Sequence, residues 1–161
     1  ILNEVNKDVQ NEGWHFNTEY HVKTSPDVNK NLTLPANCLR YDIYDEHHDK
    51  TIDVVVRNGK LYDLVDHTDE FEQDLYLTVI TLYPFADLPN PFQRYITYRA
   101  AVRAATQLVN NPQLVTLLRQ QEAVARATCM EYECNQGNHS YMGWPHDSAY
   151  RPYKPTTVLS R

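Results

Sequence analysis

Glycine is scarce in this sequence, with 4 residues among 161. A loop that cradles phosphate needs clustered glycines, and neither G-x-G-x-x-G nor G-x-x-x-x-G-K-[ST] occurs. No serine sits in a G-x-S-x-G elbow either. Cysteine is also rare, and its 3 copies at irregular spacing argue against a disulfide framework and for cytoplasmic-type chemistry. Cys129 and Cys134 are out of phase for one helical face and form no C-x-x-C pair. Cys129, among apolar neighbours, reads as a small buried hydrophobe. Positive charge is short: 15 Lys and Arg face 21 Asp and Glu, a net charge of −6. That balance excludes a nucleic-acid binder that works by neutralising phosphates, and a binder of acidic lipid surfaces. No apolar run approaches membrane-spanning length, and no secretory signal is visible.

What is present is a hydrophobic fraction of 42%, enough for a core, in a length suited to one domain. The aromatics are mostly tyrosine, 12 against 4 Phe and 2 Trp, which suits protein contacts as well as β-rich folds. Ile1, Leu2, Val5 and Val9 follow helical spacing from the first residue, which is not Met. The native chain is therefore expected to begin earlier, with a further N-terminal helical portion. The helix over 1–12 should stop at Gly13, and Trp14 and Phe16 should share one side of an extended segment.

Strand-like segments follow. Tyr20 and Val22 alternate, Ser25-Pro26-Asp27 turns, and Asn29 to Leu34 alternates with Leu32 and Leu34 inward. Leu39, Tyr41 and Ile43 form a period-two strand, and Thr51 to Arg57 leads into Asn58-Gly59, the strongest hairpin signal present. Lys60 to Val65 returns with Leu61 and its cross-strand partner inward. Leu75 to Tyr83 reads as a strand covered on both faces.

Tyr83 to Glu133 then reads as a helical hairpin. Pro91 fits a helix start, and Phe92, Tyr95, Ile96, Val102 and Ala105 recur at helical spacing. Small Ala100, Ala101, Ala104 and Ala105 let this helix pack on more than one side. Asn110-Asn111 stops it, Asn111 caps the next helix, and Pro112 starts it. Leu114, Leu117, Leu118, Val124, Ala125, Cys129 and Tyr132 form the second apolar stripe, and Glu122 and Arg126 are spaced to pair. Strands segregated from helices give an α+β fold. Its parts are a helical bundle (N-terminal helix plus C-terminal hairpin), an antiparallel β-sheet portion and an extended C-terminal arm.

The search for chemistry returns little. Glu46-His47-His48-Asp49 is the most metal-like cluster, but adjacent histidines in an extended loop point apart and no second ligand group lies at a usual spacing. His15, His21, His67, His139 and His146 are scattered, and the acidic run Asp66 to Asp74 reads as solvated surface. No catalytic residue, metal ligand or cofactor site is assigned. From Cys134 to Arg161 the chain is irregular but aromatic, unlike a disordered tail. Tyr141, Trp144, Tyr150, Arg151, Tyr153 and Lys154 give this arm aromatic and positive character, suited to packing on its own acidic domain or on a partner.

Four stretches together resemble the tail tubular protein A family, the head-to-tail adaptor or gatekeeper proteins of short-tailed bacteriophages. They are the helix running into Gly13-Trp14-His15-Phe16-Asn17; Asn58-Gly59-Lys60-Leu61-Tyr62-Asp63; Leu88-Pro89 with Phe92 and Tyr95-Ile96; and Glu122 through Cys129-Met130-Glu131-Tyr132-Glu133, followed by Gly137-Asn138. The resemblance implies an adaptor domain over 1–135, with a β-portion at about 14–83 and the hairpin at about 91–134, and an arm over 136–161. It implies a structural virion protein of the tail, assembled in the host cytoplasm as a dodecameric ring. The ring would join the portal to the nozzle (tail tubular protein B), with tail fibres at that junction. Double-stranded DNA would pass through its lumen without specific binding, and no catalytic residue is implied. Two other readings compete: a small non-enzymatic ligand- or carbohydrate-binding module, and, further off, a hydrolase built from separate loops.

Overall fold

The computed structural model describes residues 1–44, 52–109 and 111–137. The fold is α+β. The described chain runs α1 (Leu2–Gln10), β1 (Thr18–Thr24), β2 (Cys38–Ile43), β3 (Val54–Arg57), β4 (Lys60–Asp63), β5 (Leu75–Thr81), α2 (Asn90–Ala104) and α3 (Pro112–Gly137). β1, β5 and β2 make a three-stranded sheet in that order, and β3 pairs antiparallel with β4. The chain gathers into two compact units. One comprises 1–18, 37–40 and 80–137 and holds the three helices; the other, among the described residues, falls within 19–36 and 41–79 and holds most of the strand residues.

The helical unit is built on α2, which packs against both α1 and α3. The alanines at its C-terminal end suit such two-sided packing. Its core gathers Val5 and Val9 of α1, Trp14, Leu88, Phe92, Tyr95, Ile96 and Ala100, and Ala125 and Cys129 of α3. α2 closes through a π-helical turn, Ala105–Val109, rather than running to Asn110. Asn111 caps α3 as its sequence position suggests, its Oδ1 accepting from Gln113 N (3.1 Å) and Leu114 N (3.2 Å).

The β-rich unit buries Leu32, Leu61, Phe71, Leu75, Leu77 and Val79. Arg57 pairs with Lys60 across the Asn58-Gly59 turn, whose φ values of 52 and 78 are those a two-residue type I′ hairpin requires. β2 exposes Arg40 and Asp42 and half-buries Leu39, Tyr41 and Ile43, the expected alternation.

Several expectations need correction. Residues 15–17 form a 3-10 turn, not an extended segment, because Asn17 folds back onto Trp14. Asn29 to Leu34 is not a strand. Its backbone is held by turn and loop bonds such as Lys30 N to Asp27 O, although Leu32 is fully buried and Leu34 half-buried. The partner of Leu61 across the hairpin is Val56, which is 40% exposed. β5 buries Leu75, Leu77 and Val79 on one face, but on the other only Ile80, leaving Tyr76 exposed. On α3, Leu117 and Val124 lie outside the buried stripe. At 100° per residue they sit on its flank, about 80–140° round the helix from Ala125 and Cys129.

Candidate functional site

The residues proposed from sequence to bind a partner, Tyr141, Trp144, Tyr150, Arg151, Tyr153 and Lys154, lie outside the described residues, as does Glu46-His47-His48-Asp49. Among the described residues no group of three His, Cys, Asp or Glu side chains could hold a metal ion. No helix of the described residues is long and apolar enough to cross a membrane. What the structure does place is the junction where α1 gives way to β1, and the outer surface of the helices.

At the junction, Gly13 has φ +80, and a Cβ there would stand 2.7 Å from the Cδ1 of Ile80. Both the left-handed backbone and the close approach exclude a larger residue. Trp14 follows, with its indole Nε1 donating to Val9 O at 2.7 Å, so the ring folds back under the helix that it ends. Its ring and that of Phe16 meet Phe92 of α2, with centroids at 4.9 and 4.7 Å. Fully buried Asn17 closes the turn. Its Oδ1 accepts from Trp14 N at 2.8 Å, and its Nδ2 donates to Gln10 O at 2.9 Å and Thr81 O at 3.2 Å. Gln10 reads the Tyr83 peptide from both sides, donating to its O at 2.9 Å and accepting from its N at 2.8 Å. Each buried amide is thus paired, and the pairing fixes where the helix meets the end of β5. The G-W-x-F-N stretch singled out from sequence is this junction.

Beside it, the acidic side of α1 is matched by arginines. Glu4 and Asp8 face Arg103 at 3.9 and 3.0 Å. Glu12 takes both Arg99 (3.2 Å) and Arg126 (3.1 Å), and each arginine also donates to the phenolic oxygen of Tyr95 at 2.7 Å. Arg126 therefore pairs with Glu12, not with Glu122 as helical spacing suggested. The Glu12 carboxylate, then the Tyr95 hydroxyl, hold its guanidinium more firmly protonated than usual. Burial pushes the Cys129 thiol up to about 11, so it is an inert packing group, as read from sequence. Cys38, Cys129 and Cys134 are all free.

Charge is divided unevenly. The segments of the helical unit contain seven Lys and Arg against seven Asp and Glu, whereas residues 19–36 and 41–79 contain five against thirteen. The acidity of the chain thus belongs to its β-rich segments. Within that unit, Lys23 pairs with Asp74 at 2.8 Å and Lys30 with Glu72 at 3.0 Å. His21, with φ +60, is stacked on Tyr76 at 4.3 Å and meets the edge of Tyr44 at 4.8 Å.

A family model described as "Tail tubular protein" matches residues 1–139. The chain belongs to the tail tubular protein family. It is accordingly a structural protein of a bacteriophage virion tail. The match spans the junction, both hairpins and all three helices, so membership rests on the whole described fold and not on one motif. No curated protein matches the sequence.

Proposed function

We propose that this tail protein is the head-to-tail adaptor, a closed ring seated beneath the portal and holding the tail nozzle, with tail fibres at the same junction. The observation that carries the reading is the family match over residues 1–139, with the four sequence stretches of tail tubular protein A spread along it. The ring is assembled in the host cytoplasm as a dodecamer, and double-stranded DNA passes through its lumen. The charge division supports a lumen that does not grip DNA. Residues 19–36 and 41–79, with thirteen acidic residues against five basic ones, repel phosphate wherever they face the channel.

Adaptor work needs contacts, not chemistry. An adaptor domain over 1–135 supplies the packed body, and the arm over 136–161 reaches a neighbouring subunit or the portal through Tyr141, Trp144, Tyr150, Arg151, Tyr153 and Lys154. Aromatic side chains with one polar end and arginine are the residues that anchor protein interfaces. Deletion of 136–161 tests the assignment of the arm. Sedimentation of the truncated protein with portal particles should show weakened or lost association, and undiminished association would remove the arm from the account.

A further inference from the structure

We infer that the tip of the β3–β4 hairpin is a docking point for an acidic segment of a partner protein, with Arg57 and Lys60 receiving its carboxylates. The inference goes beyond the adaptor reading and does not depend on it. Arg57 and Lys60 stand directly opposite each other across the Asn58-Gly59 turn. Like charges so placed destabilise a hairpin. Among the described residues neither is ion-paired, whereas Lys23 and Lys30, the other described cations of residues 19–36 and 41–79, each hold a carboxylate. The uncompensated positive charge of these described residues is thus concentrated at a turn whose folding the second cation opposes.

The face that carries the two cations fits a protein better than a nucleic acid. The register puts Val55, Arg57, Lys60 and Tyr62 on one side of the ribbon. Leu61 and Asp63 lie on the other side, and both are buried. The Cζ of Arg57 is 4.0 Å from the Tyr62 ring centroid. Stacking on the ring holds the guanidinium flat and leaves its N–H edge for a carboxylate, which it meets with two parallel hydrogen bonds. Lys60 adds a second positive charge beside it. Tyrosine and arginine are also the residue types on which protein interfaces concentrate their energy. A DNA duplex, with one charge per about 1.7 Å of axis, would bring many phosphates towards residues 19–36 and 41–79, where thirteen acidic residues face five basic ones. A short acidic segment engages the tip alone. Asp63, the nearest carboxylate along β4, is three residues back from Lys60. That is about 10 Å, beyond the screening length of about 8 Å at physiological salt.

The test titrates the full chain against a fluorescently labelled hexaglutamate peptide at low salt, followed by anisotropy, beside a short labelled DNA duplex. Wild type should bind the peptide. Arg57→Gln combined with Lys60→Gln should weaken binding about fivefold, the scale of two partly exposed charge pairs. Arg57→Lys keeps the charge but not the planar fork and should fall between the two. Arg94→Gln combined with Arg119→Gln, at two exposed arginines of the helical unit, changes the net charge equally and should leave binding at the wild-type value. Lys60→Gln alone keeps the stack of Arg57 on Tyr62, so its melting temperature should equal or exceed that of wild type. Equal peptide binding by wild type and the tip double variant, or none by wild type, overturns the inference. A lowered melting temperature for Lys60→Gln also overturns it, because the pair would then be structural. A duplex that binds wild type more tightly than the peptide does, and that the tip double variant releases, gives the tip to nucleic acid and overturns it too. The adaptor reading stands or falls separately, on ring formation with portal.

Discussion

Gly13→Ala separates two costs that are usually merged. The substitution places an L residue at φ +80 and a methyl group 2.7 Å from Ile80 Cδ1. The left-handed backbone alone costs about 1–2 kcal/mol, and overfilling a packed site about 1–3 kcal/mol. Gly59→Ala isolates the first cost, because Gly59 has φ +78 but nothing within 4 Å of its added Cβ. Urea unfolding should therefore give a loss of roughly 1–2 kcal/mol for Gly59→Ala, and for Gly13→Ala one larger by about 1–3 kcal/mol. Ile80→Val completes the argument, since it removes the Cδ1 that the new methyl would strike. Alone it should cost about 0.5–1.5 kcal/mol; combined with Gly13→Ala it should return most of the steric share as a favourable coupling. Equal losses at the two glycines, or single losses that simply add, would refute the close-approach account of the junction.

The remaining predictions concern polar contacts. Asn17→Ala deletes three hydrogen bonds in a buried site and leaves Trp14 N, Gln10 O and Thr81 O short of partners. It should cost about 2–4 kcal/mol, more than a typical single bond, measured as a shift in urea midpoint. Asn111→Ala removes the cap of α3 and should cost about 1 kcal/mol, with Asn111→Ser nearly neutral on the same assay. Lys30 and Lys23 hold the Glu72 and Asp74 carboxyls below their ordinary values, so their folded pKa values are depressed. The stability they contribute is present above the ordinary carboxylate range, about pH 4, and is lost as pH falls through the lower folded values. Glu72→Gln together with Asp74→Asn should flatten that acid limb of a melting-temperature profile by a small amount, as both pairs are exposed.

How much of this could be read from sequence depended on whether the deciding interaction is local. Asn58-Gly59, Gly13 and Asn111 act through their own backbone or the next turn, and the structure has each in the state that its residue type favours. The helical hairpin was legible because apolar spacing, alanines and Asn-Pro punctuation agree over fifty residues. The Trp14–Asn17 turn was not, since what bends it includes an amide reaching Thr81 O, 64 residues away. Nor was the partner of Arg126. The local Glu122 offers the usual helical spacing, but Glu12, 114 residues distant, joins Tyr95 to hold the guanidinium. On α3, apolar spacing merged the buried stripe of Ala125 and Cys129 with Leu117 and Val124 on its flank, and burial shows where the stripe ends.

The adaptor reading is tested most directly by imaging the protein mixed with its portal and weighing the complex by native mass spectrometry. The account predicts a closed ring of about a dozen copies seated coaxially on the portal. A single copy that ignores the portal would contradict it, leaving a tail structural protein without the adaptor's place and bringing a ligand-binding module forward.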